Sequence, residues 1–366
     1  MVAEIAMARV SQSYSLTSLA FLAVAACGPD EGRDMDGIYG DDEGVTLGGS
    51  SSSTDEGITT QSDADDEKLD MPAEGTGMTS ATAEGGEEQG CAAIDFLFVI
   101  DNSGSMGDNQ QALIASFPGF IEKIQETISA VDSYHIMVVD TDAFWNDCIV
   151  ECAFLPNLCQ FGGVNACDGA PTVCDETLGG GVNFPVGSDA SNQYCDLTGG
   201  QRYITPQEPF AALPQKFTCI AQVGTDGDSD EKPLQALTAA VSPEHQGPGG
   251  CNTGFLRDDA VLVLTIITDE EDGSLGTPAG LYQNIVAQKG GHPENVVVLG
   301  LINDGELPVG EAVCPVDATA PRIVEFMNFF PNSVRGSICS LDSYAPFFEQ
   351  AVDTINTACD EYVPIG

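Results

Sequence analysis

The chain has 366 residues, of which 57 are acidic and 11 basic, for a formal charge of -46. That length holds one large domain or two small ones. The acidity argues against nucleic acid and against anionic membrane surfaces as partners, and it raises the local concentration of cations.

Residues 1–26 have the pattern of a targeting segment, with Met1 or Met7 as its start. Arg9 supplies a sparse basic region, and Leu16 to Ala26 is apolar but too short to span a bilayer. Val24, Ala25 and Ala26 stand directly before Cys27. Small residues before a Cys resemble a bacterial lipoprotein signal, in which Cys27 is lipidated and becomes the mature N-terminus. An ordinary secretory signal cut nearby is the alternative. Residues 27–90 are rich in Gly, Ser, Thr, Asp and Glu and nearly free of aromatics. Such a segment cannot bury enough apolar surface to offset its conformational entropy, and a disordered tether is expected.

From Cys91 the composition is globular. Ile94 to Ile100 is an apolar run with the character of a buried strand. It ends at Asp101, and Ser103 and Ser105 follow at alternate positions around Gly104. One carboxylate and two hydroxyls on a short loop are hard oxygen donors suited to Mg²⁺, Mn²⁺ or Ca²⁺. The same residues suit a turn that caps the next helix. Leu113, Phe117, Phe120, Ile121, Ile124, Ile128 and Val131 then recur at helical spacing, with Pro118 expected to kink or divide the helix. Tyr134 to Asp140 is a second strand. Strand, helix, strand is the start of a parallel α/β sheet.

Residues 141–206 break the pattern with Cys148, Cys152, Cys159, Cys167, Cys174, Cys195 and many Gly, Asn, Asp and Pro. There is no Cys-x-x-Cys pair and no His in this stretch, so disulfides are expected rather than zinc. Of 13 Cys in all, setting aside Cys27 leaves 12: these six plus Cys91, Cys219, Cys251, Cys314, Cys339 and Cys359. That even number suits six bridges of unassigned connectivity. Cys91 and Cys359 flank the folded region, and a bridge between them would clamp its ends. Residues 141–206 therefore form a loop-rich insertion stapled onto a sheet domain.

The regular pattern resumes near Pro214 with a short apolar segment around Phe217 and Ile220. Thr225 lies in a Gly-Thr turn before helical spacing at Leu234, Leu237 and Val241. An EF-hand over Asp226 to Leu237 fails, because Glu231 stands where the loop needs Gly and Leu237 where it needs Glu. Ala260 to Thr268 is a strand that ends in Asp269, followed by Glu270, Glu271 and Asp272. Helices are expected over 281–287, 323–330 and 347–358, and a strand over 296–302.

These three segments, Asp-x-Ser-x-Ser after a buried strand, Gly-Thr before a helix and a strand ending in Asp, resemble the metal-ion-dependent adhesion site of von Willebrand factor type A domains. The resemblance covers most of residues 91–362. It implies a doubly wound, mostly parallel α/β sheet flanked by helices. It implies a divalent cation, Mg²⁺ first with Ca²⁺ or Mn²⁺ as alternatives, held by Ser103, Ser105 and Thr225, with Asp101 and Asp269 direct or through water. It also implies a protein partner that offers a carboxylate. Most relatives follow the last Asp with Gly, and Glu270 departs from that pattern. The sequence lacks a Gly-x-Ser-x-Gly elbow and a His-Glu-x-x-His motif, and His135, His245 and His292 fall in unrelated contexts. An exported, lipid-anchored, non-enzymatic envelope protein is expected, with the membrane touched through the anchor alone. A metal-assisted hydrolase and a purely structural envelope protein are the alternatives.

Overall fold

A computed structural model describes residues 91–128, 133–143, 160–161, 164–165, 172–304, 319–340 and 343–365. They lie in the compact unit Ser80–Gly366. The targeting segment, Cys27, the tether, and Cys148, Cys152, Cys159, Cys167 and Cys314 lie outside the described residues.

A five-stranded, all-parallel sheet organises the chain. Its strands are β1 (Ala93–Ile100), β2 (Ser133–Asp140), β5 (Ala260–Thr268), β6 (Val296–Ile302) and β7 (Asn332–Ser337), in the order β2-β1-β5-β6-β7. A separate ribbon pairs β3 (Gln160–Phe161) with β4 (Val164–Asn165). Every residue of β1, β5 and β6 is buried. A central parallel strand is covered on both faces, which is why these segments are apolar apart from Asp95, Thr265 and Thr268.

Side chains alternate across the sheet and build two cores. Ile94, Phe96, Phe98 and Ile100 enter one, with α1 (Gly107–Ile128), α2 (Leu213–Ala221) and α7 (Ala345–Asp360). Leu97 and Val99 enter the other, with α3 (Pro233–Ala240), α5 (Pro278–Gln288) and α6 (Pro321–Met327). A further single turn, α4 (Pro243–Gln246), follows α3. In the first core Phe120 stacks on Phe348 at 4.1 Å, and Phe217 meets Phe98 and Phe117 edge-on at 4.8 and 4.5 Å. This α/β architecture, with helices on both faces, agrees with the coarse expectation.

One local expectation changes. Pro118 does not divide α1, which runs unbroken through it. Phe117, Phe120, Ile121 and Ile124 are all buried, so packing on both sides of the proline offsets the backbone hydrogen bond it cannot make. The short apolar segment around Phe217 is a helix with Pro214 in its first turn, where the missing N–H costs nothing. β7 is an addition: its polar sequence alternates between buried and exposed positions, as an edge strand does.

The insertion covers the other edge. Val182 N donates to Val138 O at 2.7 Å, and Ile204 bridges Ile136. Cys174–Cys251 and Cys195–Cys219 tie it to segments beyond residue 206. Cys91–Cys359 joins the ends of the folded region, and Cys339 is also disulfide-bonded. Such bridges are what an oxidising, exported setting allows. Among the described residues, no helix is long and apolar enough to cross a membrane.

Candidate metal centre

β1 and β5 are parallel neighbours, with Ile100 opposite Ile267. From β1 the chain moves outward to β2, then returns to the other side of β1 and continues to β6 and β7. The direction of winding therefore reverses between β1 and β5. In open α/β sheets the crevice at the carboxyl ends of such strands is where ligands bind. Asp101 and Asp269 stand at the two sides of that crevice.

Asp101 is fully buried and held at both oxygens. Ser103 N donates to Oδ1 at 2.7 Å, and the Thr268 hydroxyl donates to Oδ2 at 2.6 Å. The Ser103 and Ser105 hydroxyls are 3.0 Å apart. Ser105, which is exposed, lies 2.9 Å from Asp269 Oδ1 and 3.3 Å from Glu270 Oε1, to either of which it donates. Four of the five expected residues thus form one connected set.

The fifth, Thr225, sits on the adjoining turn. Its carbonyl oxygen faces Gly104, while its hydroxyl lies 3.4 Å from both Ser188 O and Asp189 Oδ2. The turn is laced to the β1 loop. Gln110 of α1 donates to the carbonyls of Asp101, at 3.1 Å, and Gly224, and its Oε1 accepts from Gly224 N at 3.2 Å. Gly224 has φ +95°, a conformation that favours glycine. Gly227 N donates to Asn102 O at 2.8 Å, and a Cβ at Gly227 would fall 2.6 Å from Asn102 Cγ.

Acidic groups crowd this edge, and the nearby cations pair with others of them, Lys232 with Asp230 and Arg322 with Asp272. Among the described residues, no Lys or Arg is ion-paired with Asp101, Asp269, Glu270 or Glu231. Burial pushes the Asp101 carboxyl up to about 7 against the pull of the Thr268 and Ser103 hydrogen bonds, with the Asp269 charge adding to the rise. Burial likewise raises Asp269, against the Ser105 hydrogen bond, and Glu270, where the Asp269 charge adds. A divalent cation would reverse these shifts by supplying the missing positive charge.

The donor set suits a hard cation. It is oxygen only, with carboxylates on both strands and neutral hydroxyls between them. Among the described residues, no three His, Cys, Asp or Glu side chains gather closely enough to hold a metal by themselves. Waters or a partner would complete the coordination. Sequence reasoning missed Thr268, Gln110 and Asn102 as supports, because each is brought to the loop by tertiary packing. Asn102 did carry one signal: it sits inside the Asp-x-Ser-x-Ser stretch.

The molecule is thus an α/β protein with an acidic, hydroxyl-bearing crevice at a reversal of strand order. No protein-family model matches the sequence, and no curated protein does either. Among solved structures it is similar to proximal thread matrix protein 1 from the mussel byssus, at a TM-score of 0.36 and 10% identity. That alignment covers 73% of this chain and 49% of the other, so the chain spans about half the length of the mussel protein. A likeness this distant carries no argument about fold or function.

Proposed function

We propose that this is a cell-envelope lipoprotein with a von Willebrand factor type A domain that binds a divalent cation and, through it, an acidic group of a protein partner. One observation carries the reading: Asp101, Ser103, Ser105 and Asp269 form one hydrogen-bonded set across the crevice between β1 and β5. Asp101, fixed by Ser103 N and Thr268, would hold the cation directly or through water. The Ser103 and Ser105 hydroxyls would give up their mutual hydrogen bond to face it. Asp269 would close the opposite side, and Thr225 would join from the adjoining turn.

The chemistry of that set explains the partner. Hydroxyls are neutral donors, so a cation held by two carboxylates and hydroxyls stays electrophilic. An Asp or Glu side chain from another protein is then a favoured last ligand. Mg²⁺ suits a compact octahedral site that keeps several waters, with Ca²⁺ and Mn²⁺ as alternatives. Attachment is the reading proposed here, and a metal-assisted hydrolase that activates a cation-bound water at the same site is the alternative. A lipid on Cys27 would hold the domain to the membrane through the acidic tether.

The test is retention of envelope proteins on the immobilised full chain. Partner retention should require Mg²⁺, vanish in EDTA, return when Mg²⁺ is restored, and be absent with Asp269→Ala. Equal retention in Mg²⁺ and EDTA would contradict the reading.

A further inference from the structure

Glu231 lies in the turn before α3 and takes no part in the set described above. Its residue surface is 1% exposed, and neither carboxylate oxygen has a hydrogen-bond partner among the described residues. The Thr141 hydroxyl donates to Asn102 Oδ1 at 3.2 Å and also pulls on the Glu231 carboxyl group. A buried carboxylate without donors is costly and calls for an explanation.

Its backbone is pinned between two strand ends. Lys232 N donates to Thr141 O at 3.0 Å, just past β2, and Gly273 N donates to Glu231 O at 2.7 Å, just past β5. The turn that carries it is also tied to β1 through Gly227 N and Asn102 O. The residue is thereby held among the carboxyl ends of β2, β5 and β1. The charges acting on its carboxyl group are those of Asp101 first, then Asp142 and Glu270. No basic group is among them.

We propose that Glu231 is the outer-sphere acid of the cation site, accepting hydrogen bonds from waters bound to the cation. This rests on the cation-binding reading above. An outer-sphere place is assigned because Glu231 stands apart from the hydrogen-bonded set of Asp101, Ser103, Ser105 and Asp269 that would face the cation. A Mg²⁺-like ion keeps several waters, and each presents protons that need acceptors. Apart from the pull of the Thr141 hydroxyl, the two Glu231 oxygens have no hydrogen-bond partner among the described residues, and the Asp101 charge acts on them. Groups that orient a first shell of ligands typically change metal affinity by about 10–100-fold when removed.

The experiment compares Mn²⁺ and Mg²⁺ affinities of the full chain, Glu231→Gln, Glu231→Asp and Asp101→Ala by calorimetry, with thermal midpoints in EDTA. Glu231→Gln keeps shape and removes the charge. Its cation affinity should fall about 10–100-fold, while its midpoint in EDTA holds or rises. A merely structural Glu231 would show the opposite: unchanged affinity and a lower midpoint in EDTA. If Glu231→Gln fails to fold, Glu231→Asp decides, since its withdrawn carboxylate should still weaken the cation and shift the Mn²⁺ to Mg²⁺ ratio. Cation binding lost in Asp101→Ala but unchanged in the Glu231 variants would overturn this inference and leave the site standing. No cation binding by the unmodified chain would overturn both.

Discussion

The two ends of the sheet treat buried carboxylates in opposite ways. Asp95 and Asp101 belong to the same strand and its exit, and both are fully buried. At the amino end, Asp95 receives Arg257 N at 2.8 Å, Nε at 2.8 Å and Nη2 at 2.5 Å. Lys289, itself buried, adds its charge and donates to the carbonyls of Arg257 and Ala260 at 2.7 and 2.6 Å. Burial still lifts Asp95 to about 6, against both cations. The Cys91–Cys359 bridge closes the same end. At the carboxyl end, Asp101 has a backbone N–H, a hydroxyl and further acids for company. One end supplies its own cations and holds the fold. At the other, no Lys or Arg is ion-paired with Asp101 among the described residues, the lack that the proposed cation would make good, as functional sites commonly set local stability aside.

The largest effect should come from breaking the amino end. Arg257→Ala strips buried Asp95 of its guanidinium partner, leaving the backbone N–H of residue 257 and the more distant charge of Lys289, and should cost about 3–5 kcal/mol in urea unfolding. A loss below about 1 kcal/mol would mean that Asp95 does not depend on its partner. Next, replacing Cys91 and Cys359 together with Ser should cost about 2–4 kcal/mol, with cation binding retained, because the bridge lies at the opposite end from the crevice. Asp101→Asn in EDTA should change stability by no more than about 1 kcal/mol, since it removes an uncompensated buried charge and one good acceptor together. A loss as large as that of Arg257→Ala would erase the contrast between the ends.

A different kind of effect is a slope against pH. Burial holds the His135 imidazole down to about 4 in the folded chain, below its ordinary 6.5, although its hydrogen bond to Phe255 O pulls the other way. The unfolded chain therefore binds more protons between those values. The neutral ring's contribution is present above pH 6.5 and lost as pH falls toward 4. Thermal midpoints of His135→Gln should fall less steeply across that window than those of the unmodified chain. Equal slopes would remove His135 from the account.

Much of the fold was legible because buried parallel strands are written as apolar runs. The strand expected over 296–302 is β6, and Ala260 to Thr268 is β5. β7 was not legible, because Asn332, Ser333, Arg335 and Ser337 form an edge that needs no apolar run. In the site, Asp101, Ser103 and Ser105 were visible from local spacing, and Asp269 from its place after a strand. Gln110, Thr268 and Glu231 were not, since their positions depend on how α1, β5 and the turn before α3 dock around the crevice. The direction of the Thr225 hydroxyl, toward Ser188 and Asp189, is likewise set by the insertion and not by the Gly-Thr turn.

The central claim is that the carboxyl end of β1 holds a divalent cation. Calorimetric titration of Mg²⁺, Mn²⁺ and Ca²⁺ into the full chain and into Asp101→Ala tests it most directly, with circular dichroism to show that both are folded. The account predicts saturable binding by the unmodified chain and none by the variant. Equal cation affinity in a folded Asp101→Ala protein would contradict it.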